Sequence, residues 1–254
     1  MKKVTLLLLV VSLLSSGVLA WNTPGEDFSG ELNLEGTVTS TRNPWIWKVG
    51  EEKKSLEIQL SPEIQGQLQT ISVPLPSLTV LLGKTTYATP TGREGLSPRV
   101  SYGSGSEGEA FVWTAPGRVE VTLPVTGENN TRIGTFVFKM QIAGVLRHIQ
   151  AGQAKYAGIY NDFDSNGLPE KGLVMEADKV PGTLQMMFGG EGPGWLQDIT
   201  IASTTGVSRF QDGTLRQVEG VYGAQILAGS GELHLLGAIP GRWRVSLPVN
   251  IDYQ

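Results

Sequence analysis

Residues 28–39 alternate without a break. Phe28, Gly30, Leu32, Leu34, Gly36 and Val38 take one side; Ser29, Glu31, Asn33, Glu35, Thr37 and Thr39 take the other. Period two is the geometry of an extended strand with one face buried. The far end of the chain repeats the pattern. Trp243, Val245, Leu247, Val249, Ile251 and Tyr253 alternate there with Arg244, Ser246, Pro248, Asn250 and Asp252. Chain ends fray unless something ties them down, so two such strands demand a sheet at both ends. A strand so near the amino terminus has two possible fates. It pairs within its own domain, or it completes the sheet of another chain.

What precedes this strand reads as an export leader. Lys2 and Lys3 stand before an apolar stretch, residues 4–14, that is too short to span a bilayer. Val18, Leu19 and Ala20 then offer small or aliphatic residues at the positions a signal peptidase reads, which predicts cleavage between Ala20 and Trp21. The chain has no cysteine, so an exported form relies on packing and sheet hydrogen bonds rather than disulfides. Its 254 residues suffice for one well-buried domain. With a net charge of −4 and no basic stripe, nucleic acid is not an expected partner. The 33 glycines and 14 prolines, among short runs of Val, Thr and Ser, indicate strands joined by tight turns.

Between the two ends the expected strands come in order. Asn43-Pro44 breaks the first strand, and Trp45, Trp47 and Val49 share one face of the next. Leu56, Ile58 and Leu60 alternate with Glu57 and Gln59, and Ile71 and Val73 form a short strand ended by Pro74 and Pro76. Residues 78–82, Leu-Thr-Val-Leu-Leu, read as one apolar run, as in a strand covered on both faces. Gly83-Lys84 is expected to open a polar stretch, followed by strands at 100–102, 110–113, 119–123 and 135–143. Residues 144–195 have no clean period and read as an insertion, with a short helix expected at 152–160. Strand-like spacing resumes at Leu196, Ile199 and Ile201 and again over 217–227.

Catalytic and metal-binding patterns fail one by one. His148 and His234 have no cysteine or carboxylate at ligand spacing, so neither metal nor cofactor is expected. There is no Gly-x-Ser-x-Gly elbow and no phosphate-binding loop. Asp162, Asp164, Asn166 and Gly167 resemble the start of a calcium loop, but its twelfth position is Leu173, where a bidentate acid belongs. Paired acids such as Glu51-Glu52 sit in turns with nothing to orient them. The chain is therefore read as a non-enzyme.

Several stretches resemble the Fae-type subunits of chaperone–usher fimbriae. They are the start at Trp21, the run of residues 27–39, Trp45-Ile-Trp-Lys-Val-Gly50, Leu81-Leu-Gly-Lys84, Ala88-Thr-Pro90 and the C-terminal strand with its penultimate tyrosine. The likeness is good over the first hundred residues and the last ten, and a minor subunit fits better than the longer major one. The resemblance implies an all-β fold, an immunoglobulin-like sandwich that lacks its last strand. A donor strand made of Phe28, Gly30, Leu32, Leu34, Gly36 and Val38 then fills a neighbour's groove. Its four large apolar residues are worth about 1.5–3 kcal/mol each, roughly 6–12 kcal/mol together as an upper bound. Val245, Leu247, Val249, Ile251 and Tyr253 line the corresponding groove, with Pro248 as an irregularity. The implied division is a signal peptide at 1–20, a donor extension at 21–39 and a pilin domain at 40–254, with its variable insertion at about 144–195. The implied partners are a periplasmic chaperone, an outer-membrane usher and neighbouring fimbrial subunits, with room for a host glycan receptor. The implied destination is a fimbria on the cell surface, reached through the periplasm. Two other readings stay open, a small outer-membrane β-barrel and a periplasmic carbohydrate-binding sandwich.

Overall fold

The structure, a computed structural model, describes residues 43–50, 69–237 and 240–254. The strand read at Leu56, Ile58 and Leu60 lies outside them. Thirteen strands form among the described residues. The first seven are β1 (Trp45–Val49), β2 (Gln69–Val73), β3 (Leu78–Thr85), β4 (Thr89–Thr91), β5 (Pro98–Tyr102), β6 (Ala110–Ala115) and β7 (Arg118–Thr126). Then follow β8 (Arg132–Gln150), β9 (Gln153–Tyr160), the helix α1 (Val180–Phe188), β10 (Ser203–Gly206), β11 (Arg216–Ile226), β12 (Gly231–Leu235) and β13 (Val249–Tyr253). The chain is all-β in class, an open immunoglobulin-like sandwich. One sheet runs β1-β3-β11-β8-β12-β2, with β7 and β6 continuing from β8, β9 and β10 on its other half, and β4 on β11; the second sheet is β13-β5.

The spine is β8, at 19 residues the longest strand. Its first half pairs with β7 and β12, its second half with β11 and β9. Phe136, Phe138, Met140 and Ile142 keep the alternation and face the main core, which also takes Leu81, Val100, Tyr102, Val121, Leu123 and Tyr222. Beyond Ile142 both faces of β8 are buried, because Ala143 and Val145 enter a second cluster. The same split explains the apolar run in β3, where Leu81 faces the main core and Leu82 the second cluster.

The second cluster is roofed by α1 and the turns around it. Val180, Leu184, Met187 and Phe188 are buried at helical spacing, while Met186 is exposed. Pro181 starts the helix, and Gly189 ends it in the left-handed conformation (φ 55°), its N–H reaching Gln185 O at 3.1 Å. The helix lies so close to β11 that a side chain at Gly223 would meet Met187 Sδ at 2.6 Å. Gly83 is small for a like reason, since the Trp47 ring occupies the space above it.

Four sequence expectations are corrected. Where a helix is expected over 152–160, residues 153–160 form β9, a strand. Ala151 (φ 49°) and Gly152 (φ 76°) make a two-residue turn that folds β9 back onto β8. Gly83-Lys84 opens no polar loop; β3 runs on to Thr85, held between β1 and β11. Leu196 lies in a 3-10 turn (Gly194–Asp198), and Ile199 and Ile201 are buried in unpaired chain before β10, so their spacing marks packing under α1 and not a strand. Of the alternating residues 243–253, only Val249–Tyr253 join a ladder.

Candidate subunit-docking face

The C-terminal segment is tied at both ends and open between them. At its start, Arg244 and Thr126 exchange two backbone hydrogen bonds, each 2.9 Å. At its end, β13 runs antiparallel to β5, with Val249 opposite Tyr102, Ile251 opposite Val100 and Tyr253 opposite Pro98. The Pro248 carbonyl accepts from Gly103 N at 2.9 Å, so the ring without an N–H sits at the point where the ladder begins. Gln254 closes the segment, its N–H on Ser97 O at 3.1 Å and its carbonyl accepting from Gly95 N at 2.7 Å. All these bonds to residues 248–254 come from the β5 side. The other edge of β13 has no backbone partner among the described residues.

Side chains follow the alternation more faithfully than the backbone does. Trp243, Val245, Leu247, Val249 and Ile251 are half-buried against the main core, whereas Arg244, Ser246, Asn250 and Asp252 are exposed. Trp243 packs on Phe136 with ring centres 5.5 Å apart. An apolar row that is anchored in a core but still partly open to water, beside an unpaired strand edge, is the surface on which a further strand gains both apolar burial and ladder hydrogen bonds.

Tyr253 departs from the row. It is 37% exposed and its hydroxyl accepts a hydrogen bond from Trp47 Nε1 at 2.7 Å. Burial pushes its phenol upward in pKa, against the lowering effect of that hydrogen bond. Trp47 stacks on Trp45 at 5.2 Å, and Trp45 meets Phe210 edge-on and donates from Nε1 to Leu96 O at 2.9 Å. This aromatic chain joins the edge strand β1 to the last strand. The sequence reading put Trp45 and Trp47 on one face but missed their tie to Tyr253. The available signal was that buried indoles need an acceptor for their N–H.

Deeper in, Tyr222 donates to Gly167 O at 2.6 Å, and its hydroxyl lies 2.7 Å from that of Tyr102. Since the Tyr222 proton is spent on Gly167, Tyr102 is the donor of the second bond. Burial holds both phenols far above their ordinary range.

The polar residues singled out as calcium-like serve the fold. Asp162 accepts from Ser208 N and Oγ, the Asp164 carbonyl accepts from Arg99 Nε at 2.8 Å, and Asn166 bonds both the N–H and the carbonyl of Tyr102, while the neighbouring Asn161 Oδ1 accepts from Phe163 N and Ser165 Oγ. His234 sits in β12, its Nδ1 3.1 Å from Thr70 Oγ1. His148 sits in β8 with Nδ1 buried and without a hydrogen-bond partner. Phe28, Gly30, Leu32, Leu34, Gly36 and Val38, and the cleavage pair Ala20 and Trp21, lie outside the described residues. The described residues thus include the C-terminal row and none of the residues expected to pair with it.

An open β-sandwich with an apolar row beside a free edge offers a place where a further strand can pair. A family profile described as "Fimbrial, major and minor subunit" matches residues 1–254, and the chain belongs to that family. It is similar to the K88 minor fimbrial subunit FaeI of Escherichia coli, at 66% identity over 254 residues and the whole of both chains. It is also similar to the K88 fimbrial protein AC of Escherichia coli, at 26% identity over 209 residues, 74% of this chain and 72% of that protein. The chain is thus a non-enzymatic structural subunit of a surface fimbria, built to assemble with other subunits.

Proposed function

We propose that the chain is a minor subunit of an adhesive fimbria, assembled by the chaperone–usher pathway through donor-strand exchange. In this reading residues 1–20 direct export to the periplasm and are cut off between Ala20 and Trp21. Residues 21–39 are the donor extension, and residues 40–254 are the pilin domain, with an insertion at about 144–195. A periplasmic chaperone first pairs with the free edge along Val245, Leu247, Val249, Ile251 and Tyr253. At the outer-membrane usher, the neighbour's extension replaces it.

One observation carries the reading: an apolar row packed on the core beside a strand edge with no backbone partner among the described residues. Period two in the donor matches period two in the row, so Phe28, Leu32, Leu34 and Val38 have the spacing to interleave with it. The test moves residues 27–39 behind Gln254 through a short linker. The rearranged chain is expected to be a soluble monomer, while the plain mature chain needs its chaperone. Equal stability of the two removes the groove.

A further inference from the structure

The large sheet ends in edge strands that differ in how they are protected. β1 carries Lys48, paired with Glu191 at 2.7 Å, and is anchored just ahead of its first residue, where Asn43 Nδ2 donates to Gly95 O at 2.6 Å. β2 runs into Pro74, β4 has three residues with Pro90 between two threonines, and β10 has four residues of Ser, Thr and Gly. Charge, proline and shortness are the devices that keep an edge from adding a strand. β6 has none of them. Its six residues, Ala-Phe-Val-Trp-Thr-Ala, carry no charge and pair with β7 alone. Its other edge has no backbone partner among the described residues.

The two faces of β6 are unlike. Val112 stands on the outer face, 55% exposed, opposite Glu120 of β7. Phe111 and Trp113 are half-buried against the main core, and Phe111 stacks on Tyr102 with ring centres 6.3 Å apart. A strand added at this edge gains most if it brings apolar residues to the inner face. β6 itself does so. A two-fold axis perpendicular to the sheet runs two copies of β6 antiparallel and keeps both inner faces on one side, provided that a residue and not a peptide bond lies on the axis. With Val112 on the axis, Phe111 of each copy stands opposite Trp113 of the other, and Ala110 opposite Thr114. With Trp113 there instead, the register shift between Trp113 and Ala115 falls near the middle of the new ladder and not at its ends.

Charge agrees with the first arrangement. It sets the loop before β6 of one copy, with exposed Glu107, beside the turn after β6 of the other, with exposed Arg118. Glu109 is spent inside its own loop on Ser104 and Gly105, and Arg132 there donates to Glu107 O at 3.3 Å. At the turn, Glu176 is the acid that feels Arg118, and Lys179 already holds it at 3.1 Å. The Glu107 carboxylate and the Arg118 guanidinium thus meet across the contact, once at each end.

We propose that two copies of this chain pair side by side through β6, antiparallel about Val112, so that their large sheets become one. The contact uses no donor strand, and β13 lies in the other sheet. A contact confined to one short strand and its flanks buries little surface, so the chain is a monomer in dilute solution and pairs where copies are crowded.

The absence of cysteine allows the register to be read by disulfides. Residues facing each other across the axis lie about 4.5–5.5 Å apart, within disulfide reach, whereas Ala110 of one copy is about 14 Å from Ala110 of the other. The mature chain is oxidised at rising concentration and run in detergent without reductant. Val112→Cys is expected to give at least ten-fold more covalent dimer than Val49→Cys, which marks the equally exposed edge β1, or than Ala110→Cys. Adding Glu107→Arg to Val112→Cys should cut the yield at least three-fold, and Glu107→Arg with Arg118→Glu should restore it. A Val112→Cys yield no higher than that of Val49→Cys, an Ala110→Cys yield equal to it, or a charge swap that restores nothing overturns the proposal. Leu32→Asp should leave the Val112→Cys dimer intact; its loss on that change would make the contact a by-product of donor exchange and overturn it as well.

Discussion

Two regions of this sandwich start from equally apolar sequence and end differently. At the centre, β3, β8 and β11 are covered on both faces, because α1 and its turns lie over Leu82, Val145 and Val221. Along the C-terminal segment, Val245, Leu247, Val249 and Ile251 reach the main core on one side only and stay half-exposed. The centre finds its second layer in the same chain. The rim is paired only with β5 and, through Arg244, with Thr126 among the described residues. Apolar alternation thus specifies a buried face without specifying whose chain buries it.

The largest expected effect lies at the sealed centre. Leu184→Ala removes a fully buried side chain under α1 and should cost about 2–5 kcal/mol, read by urea denaturation of the rearranged monomer. A loss below the range for surface substitutions would mean that α1 is not part of the cooperative unit. At the open rim, Leu247→Asp should weaken binding of a peptide of residues 27–39 at least about 100-fold, or roughly 2.7 kcal/mol, with little change in the thermal midpoint of the chain without peptide. Unchanged peptide binding, measured by calorimetry, would erase the contrast between centre and rim.

Tyr222→Phe is intermediate. It strands the Gly167 carbonyl and the Tyr102 hydroxyl inside the core, and should cost about 1–3 kcal/mol against about 1 kcal/mol for Tyr102→Phe, which leaves the bond to Gly167 intact. Smaller again is an acid effect at His148. Burial lowers its pKa first, with Arg209 and Lys155 adding to this and Asp212 opposing it. The unfolded chain therefore binds the proton more readily, so this contribution is complete above the unfolded value, about 6.5, and is lost as pH falls below it. The denaturation midpoint of His148→Asn should fall less between pH 7 and pH 5 than that of the unaltered chain. The smallest effect belongs to Lys48→Ala. Its ion pair with Glu191 is solvent-exposed, and no resolvable change in the midpoint is expected.

Legibility in the sequence followed the same divide. Strands with one wet face announced themselves, as in β7 and the first half of β8, where every second residue is buried. The run in β3 did so in part, since Leu81 and Leu82 are buried on opposite faces while Leu78, Thr79 and Val80 are half-buried. The sequence did not reveal what lay over it, because the four buried residues of α1 sit among Pro181, Gly182 and Thr183, which favour no long helix. Residues 152–160 misled for the reverse reason. Gln, Ala and Lys favour helix locally, yet the Ala151-Gly152 turn and pairing on both sides, with β8 and β10, impose a strand. The alternating burial of the C-terminal row was readable residue by residue. Its free edge was not, since pairing depends on Thr126 and β5, far away in sequence.

The anchoring of Asn43 bears on how the molecule meets mechanical tension. A pull on the chain ahead of Asn43 runs along β1, whose five residues pair with β3 from Trp45 opposite Thr85 to Val49 opposite Leu81. Such a load shears all the ladder bonds together instead of peeling them singly. Before it reaches them it must free the Asn43 amide from Gly95 and the Trp45 indole from Leu96. The force then enters the body through its most aromatic corner, where stacked rings lock β1 against Phe210 and Tyr222, and a tugged thread becomes a strained block.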